Sequence, residues 1–244
     1  QRTAALEASN LELQQFAYVA SHDLQAPLRG IAGFAQLLEA QYSDVLDEDG
    51  RSYVQEVVQG SLRMRELITD LLRYSRVDSG GRVFEQVDLD AVLDGALQML
   101  DAEMVAVGAK VTRGDLGVVY GDPAQLGQLL QNLVGNGIKY RGQAPPVVRV
   151  WTERSTHSWS LFVRDNGIGI AARHQDRIFE IFKRLHTQSE YPGTGIGLAV
   201  CRRIVQRHGG SLTVDSTPGE GSTFRAEMSI PSNTGTDSSG TQET

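Results

Sequence analysis

One cysteine, Cys201, stands in 244 residues, which excludes an internal disulfide and any cysteine-rich metal centre. Histidine is scarce too, and His157, His174, His186 and His208 stand at no spacing that metal ligands use. No apolar run approaches the roughly 18 residues that a membrane span needs. Positive charge is in deficit: 23 Lys and Arg face 30 Asp and Glu, for a net charge of −7. A chain of that balance lacks the basic face on which non-specific nucleic-acid binding depends. No signal peptide is visible, so cytoplasmic residence is the default expectation. The chain opens on Gln1 with a helical pattern already under way, and it reads as the output end of a longer protein.

What is present is a globular composition, 40% apolar and 22% charged, long enough for two ordinary domains. The organising stretch is Phe16 to Arg29, where His22 stands beside Asp23 and five residues ahead of Pro27. A heptad can be written through it, with d positions at Leu6, Leu13 and Ala20 and a positions at Asn10, Ala17 and Leu24. That is a coiled-coil seam over residues 1–20, and Asn10 at an a position favours two strands. In the same frame His22 falls at f, facing solvent and open to other proteins; a plain surface histidine occupies such a position equally well. Pro27 predicts a bend.

Helical spacing then continues through Ile31, Phe34, Leu37 and Leu38 to about Tyr42. Ser43–Gly50 is turn-like, and Val54, Val57, Ser61, Met64, Ile68, Leu71 and Ser75 mark a second helix. These make an antiparallel hairpin, placed at residues 12–78, whose two apolar faces are satisfied by pairing with a second copy into a four-helix bundle. A homodimer is therefore expected. Residues 79–82 form a linker, and from 83 to 231 the pattern turns to mixed α/β. Asp88 and Asp122 are N-cap candidates, the latter followed by Pro123 at the first helical position. Strands are expected over Val83–Val87, Val118–Tyr120, Val147–Thr152, Ser158–Arg164, Ser211–Ser216 and Ser222–Ile230. Residues 232–244 are rich in Ser, Thr and Gly and read as a disordered tail.

Four stretches of the second half converge on a pocket. Asn132, Asn136 and Lys139 follow one another on one helical face, Tyr140 beside them. Amide oxygens complete the shell of a hard cation such as Mg²⁺, and a lysine meets phosphates as a point charge. Asp165, with Gly167 and Gly169, follows an apolar strand; its carboxylate can accept from the exocyclic amino group of adenine, where guanine offers an acceptor. An ordinary Asp-Asn-Gly turn explains this stretch equally well. Ile178–Phe182, containing Phe179 and Phe182, is a short apolar piece that core packing also explains. Gly193, Thr194, Gly195, Gly197 and Leu198 open a helix whose amides favour phosphate. No strand precedes them, which rejects a dinucleotide fingerprint. Lys183–Tyr191 reads as a lid.

Taken together, these residues resemble the sensor histidine kinases of two-component signalling. His22-Asp23 with Pro27-Leu28 resembles the phosphoacceptor box; Asn132–Tyr140 is similar to the N box, Asp165–Gly169 to G1, Phe179–Phe182 to F and Gly193–Gly197 to G2. The run Ser21-His22-Asp23-Leu24-Gln25-Ala26-Pro27-Leu28-Arg29 is especially similar to phytochrome-type kinases. The resemblance covers about residues 1–231. It implies a dimeric four-helix bundle followed by an α/β sandwich of the histidine kinase and Hsp90-like ATPase type. It also implies ATP and Mg²⁺, His22 as the phosphorylated residue with Asp23 assisting, and Asn136 on the metal. Asn132 and Lys139 join the metal and phosphates, and Asp165 takes adenine. The implied partners are a response-regulator receiver domain and an upstream sensor domain. Many relatives carry Thr or Asn four residues after the histidine, for dephosphorylating the regulator; Ala26 stands there, so phosphatase activity is not expected by that route, and Gln25 is the one nearby substitute. Two other readings compete: an ATPase of the same superfamily acting in protein folding or DNA repair, which would not need His22, and an ATP-binding dimerisation scaffold without kinase output.

Overall fold

The computed structural model describes residues 23–77, 83–187 and 190–230. His22, the heptad seam, the linker at 79–82 and the tail at 232–244 lie outside them.

Residues 23–42 form helix α1, which runs unbroken through Pro27. Helix α2 spans Glu48–Arg76. It starts earlier than its apolar pattern suggests, because Asp47 caps it by accepting from Gly50 N at 2.8 Å; the loop is therefore shorter than Ser43–Gly50. Gln25 Nε2 donates to Thr69 Oγ1 near one end of the pair and Gln55 Nε2 to Glu39 Oε1 near the other, which fixes the helices antiparallel. The hairpin's interior is thin. It buries Leu28, Ala32, Ala35, Val58 and Ser61, while Ile31, Phe34, Leu37, Leu38, Val57, Met64 and Leu71 remain exposed.

The second region is a two-layer α/β sandwich. Strand β1 (Glu85–Asp88) pairs antiparallel with β3 (Val118–Gly121) in a small sheet. The main sheet has the order β2-β4-β5-β7-β6, from Lys110–Arg113, Val147–Arg154, Ser158–Asp165, Gly221–Ser229 and Ser211–Thr217 respectively. Only β2 and β4 are parallel. Helices α3 (Leu89–Val107), α4 (Pro123–Lys139) and α5 (Gly197–Arg207) cover one face. Both expected caps are made: Asp88 accepts from Asp90 N, and Asp122 from Ala124 N and Gln125 N. The expected strand at Val83–Val87 begins two residues later, since its pairing with β3 sets its ends.

Register explains the core. Val150, Val163, Phe224 and Val214 stand side by side across four strands, and Thr152, Leu161, Ala226 and Leu212 form the next row. Against these rows α4 lays Leu126, Leu129, Leu130, Leu133, Val134 and Ile138, all buried and spaced by threes and fours. The third row, Val148, Asp165, Ser222 and Ser216, ends in polar residues at one edge of the core. That edge is where the site lies.

Candidate functional site

Helix α4 reaches this edge through a close approach. A Cβ on Gly137 would lie 2.9 Å from Val148 Cγ2 and 3.1 Å from Asp165 Cβ, so only glycine lets the helix sit so near β4 and β5. The glycine does not loosen the helix end as its propensity suggests, since Tyr140 N still donates to Asn136 O at 2.9 Å. The same helix sets Asn132, Asn136 and Lys139 along one wall of a cavity of about 220 Å³. Neither asparagine side chain makes a hydrogen bond among the described residues.

Asp165 ends β5 and also lines the cavity. It is 9% exposed, and its Oδ1 accepts from Gly167 N at 2.8 Å and from Ser222 N at 3.2 Å. Those two bonds orient the carboxylate and leave Oδ2 without a hydrogen-bond partner among the described residues. Burial pushes its pKa above the ordinary carboxylate value, and the two backbone donors oppose that rise. Gly169 has φ of +69°, and a Cβ there would fall 2.0 Å from Thr217 O, so the turn after Asp165 closes only with glycine.

The loop entering α5 supplies the third wall. Gly193, Thr194, Gly195, Gly197 and Leu198 all line the cavity, with Gly195 at φ +75°. A Cβ on Gly197 would lie 3.0 Å from Asn132 Oδ1, which places the start of α5 directly against α4. Beside the cavity, the Tyr191 ring is tilted against Tyr140 with centroids 5.0 Å apart, His186 meets both rings, and Tyr191 OH donates to Arg141 O. This is the segment expected as a lid.

Of the predicted residues, Asn132, Asn136, Lys139, Tyr140, Asp165, Gly169, Gly193, Thr194, Gly195, Gly197 and Leu198 share the cavity. Three of the predicted nucleotide-binding residues do not line it. Gly167 acts through its N–H on Asp165. Phe179 is buried in the core, edge-on to Phe224 with Arg202 above it. Phe182 is exposed at φ +64°, and its N–H holds Gly195 O at 3.1 Å. Both phenylalanines thus support the walls, where direct contact with a ligand was expected. Asp23 is exposed on α1, and its neighbour His22 lies outside the described residues. The sequence reading missed Ser222 and Phe224, and also Glu66 and Asp70, which reach the cavity from α2; of the apolar stretch Ile178–Phe182, it is Ile178 that lines the cavity. Ser222 was detectable only through strand register, being opposite Asp165.

The model of the His Kinase A (phospho-acceptor) domain matches residues 12–80, and that of the histidine kinase-, DNA gyrase B- and HSP90-like ATPases matches residues 121–232. The chain belongs to the sensor histidine kinases. Like other members of this family it joins a phosphoacceptor hairpin to an ATPase-type sandwich. Residues 83–120, between the two matched spans, contribute Val87, Leu89, Leu93 and Val119 to the same core as α4. Among its relatives are the phytochrome-like protein Cph1 of Synechocystis, 45% identical over 226 residues (93% of this chain, 30% of that protein), and cyanobacterial phytochrome A of Nostoc, 47% identical over 219 residues (90% of this chain, 29% of that protein). The chain spans about 30% of the length of these relatives. Among solved structures, full-length ShkA in complex with AMPPNP is 26% identical with a TM-score of 0.67, covering 88% of this chain and 45% of that one.

Proposed function

We propose that this chain is an ATP-dependent protein-histidine kinase core that phosphorylates His22 and passes the phosphoryl group to an aspartate of a response-regulator receiver domain. The observation that carries the reading is Asp165: a buried carboxylate, held by two backbone donors, with one oxygen uncommitted, on a cavity that Asn132, Asn136 and Lys139 also line. The uncommitted oxygen suits the amino group of adenine. The amides and the ammonium suit a triphosphate with a hard cation.

Asn136, with Asn132, would hold Mg²⁺, whose chemistry there is to neutralise charge on the β- and γ-phosphates. The residues divide the remaining work by position. Lys139 meets phosphate charge, the glycines before α5 let backbone N–H groups approach phosphate oxygens, and the 183–191 segment shields the site from water. A ring nitrogen of His22 attacks the γ-phosphorus, the bond to the β–γ bridging oxygen breaks, and its electron pair leaves with ADP. Asp23 orients the ring and, as base, accepts the N–H proton of its other nitrogen as the ring becomes cationic. The exposed apolar chains of α1 and α2 support a homodimer, with two hairpins in one four-helix bundle. An upstream sensor domain on the same chain would set the helix positions. Ala26 withdraws one route to phosphatase action, and the alternative, Gln25, is engaged with Thr69.

The test is incubation with γ-labelled ATP and Mg²⁺. Wild type is expected to acquire an acid-labile label, His22→Gln to bind nucleotide without label, and Asp165→Asn to lose both. Label surviving in His22→Gln would end this assignment.

A further inference from the structure

The end of α2 is fastened to the sandwich at three places. Gln125 Nε2 donates to Val77 O at 2.8 Å, where Val77 is buried. The Arg203 guanidinium stands 4.4 Å above the Tyr74 ring. Thr194 Oγ1 donates to Asp70 Oδ2 at 2.7 Å, and Asp70 Oδ1 lies 3.4 Å from Arg73 Nη1. The first two contacts, a hydrogen bond and a cation–ring contact, are made by residues that do not line the cavity. The third is made inside it, by a residue of the glycine loop.

Asp70 and Glu66 stand one helical turn apart and both line the cavity, on the side shared with Asn132, Asn136, Lys139 and Thr194. On the reading of this cavity as an adenine-nucleotide site, that side is where the triphosphate belongs. Two carboxylates there repel it, and the Thr194 hydroxyl is already committed.

We propose that Asp70 is a latch: it holds α2 across the phosphate end of the cavity, so that the docked form takes nucleotide weakly and undocking of α2 opens the site. The inference rests on the kinase reading and adds to it how the site is regulated. A signal that shifts or rotates α2 then controls nucleotide occupancy directly, besides moving the phosphoacceptor. The apparent affinity of a site open only part of the time falls by the open fraction. Any change that frees α2 therefore raises affinity without touching a binding residue.

The experiment is a titration of the full chain with trinitrophenyl-ATP and Mg²⁺, followed by fluorescence. Asp70→Ala is expected to bind roughly three- to ten-fold more tightly than wild type, since it removes one charge-assisted bond. Tyr74→Ala, distant from the ligand, is expected to move in the same direction. Glu56→Ala, on α2 but away from the docked end, is expected to match wild type. Unchanged or weaker binding by Asp70→Ala would overturn the latch, as would tightening by Asp70→Ala with Tyr74→Ala at the wild-type value, which would reduce the effect to local charge. Wild type that binds no nucleotide would overturn the kinase reading itself.

Discussion

The hairpin and the sandwich place their apolar side chains in opposite ways. In the sandwich, Leu89, Leu93, Leu126, Leu129, Leu130 and Leu161 are wholly buried, and three helices close one face of the main sheet. In the hairpin, Leu28, Val58 and three small residues form the inner seam, while Phe34, Leu24, Leu37, Tyr53 and Met64 stand more than half exposed. One region has completed its core from its own chain and the other has not. On the proposed reading, a catalytic module that swings needs the first property, and a stalk that pairs and relays movement needs the second.

The largest effect expected from this contrast lies in the sandwich. Leu130 on α4 is fully buried, so Leu130→Ala should cost about 2–5 kcal/mol of stability through lost burial and the cavity left behind. Denaturant unfolding of the variant measures it. A loss below about 1 kcal/mol would show a core that is loosely packed, and the contrast would fail on that side.

Much of this division was legible in the residues themselves. Asp88, and Asp122 with Pro123, announced two helices because capping is a local interaction. Asn132, Asn136, Lys139 and Asp165 were singled out by the order and separation of their stretches, no one of which is distinctive alone, and they line one cavity. What was not legible depends on distant parts of the chain meeting. Ser222 became a partner of Asp165 only through the pairing of β5 with β7. Phe179 and Phe182 were assigned to the ligand because an apolar run does not reveal which side of a cavity wall it occupies. Asp70 sits in an ordinary amphipathic helix, and its importance comes from where that helix docks. Gly137 is unfavourable in a helix by propensity, and its value shows only in the close approach of α4 to Val148 and Asp165.

A smaller effect tests how the sandwich is sealed beside α2. His208 is buried, with Phe84 stacked on its ring at 4.5 Å. Its Nε2 accepts from Asp122 N, so the proton is on Nδ1, which donates to Ile204 O. Burial holds its pKa below the ordinary value of 6.5; Arg207 pushes the same way, while the Ile204 carbonyl and Asp122 oppose it. The neutral ring is thus favoured in the fold. Stability from this group is full above the unfolded value near 6.5 and is lost as pH falls towards the lower folded value, because the unfolded chain takes up the proton first. The melting temperature should therefore fall between pH 7.5 and 5.5, by an amount equivalent to no more than about 1–3 kcal/mol, the cost of stranding a buried donor. The dependence should flatten in His208→Gln. An unchanged slope in that variant would assign the acid sensitivity to other groups.

The smallest effect on stability is expected at the residue that looks most hydrophobic. Phe34 is 71% exposed on α1, so within one subunit Phe34→Ala removes little buried area and should change stability by less than about 0.5 kcal/mol. If the hairpin's core is completed by a second copy, the same substitution should shift the chain from dimer towards monomer, read by sedimentation at low concentration. It should also make the melting temperature depend more steeply on protein concentration. Phe34→Ala and Leu130→Ala then separate cleanly, one acting through association and the other through the subunit's own fold. A Phe34→Ala variant that loses subunit stability at unchanged oligomeric state would mean that the hairpin closes its core within one chain, and the reason for expecting a four-helix bundle would be gone.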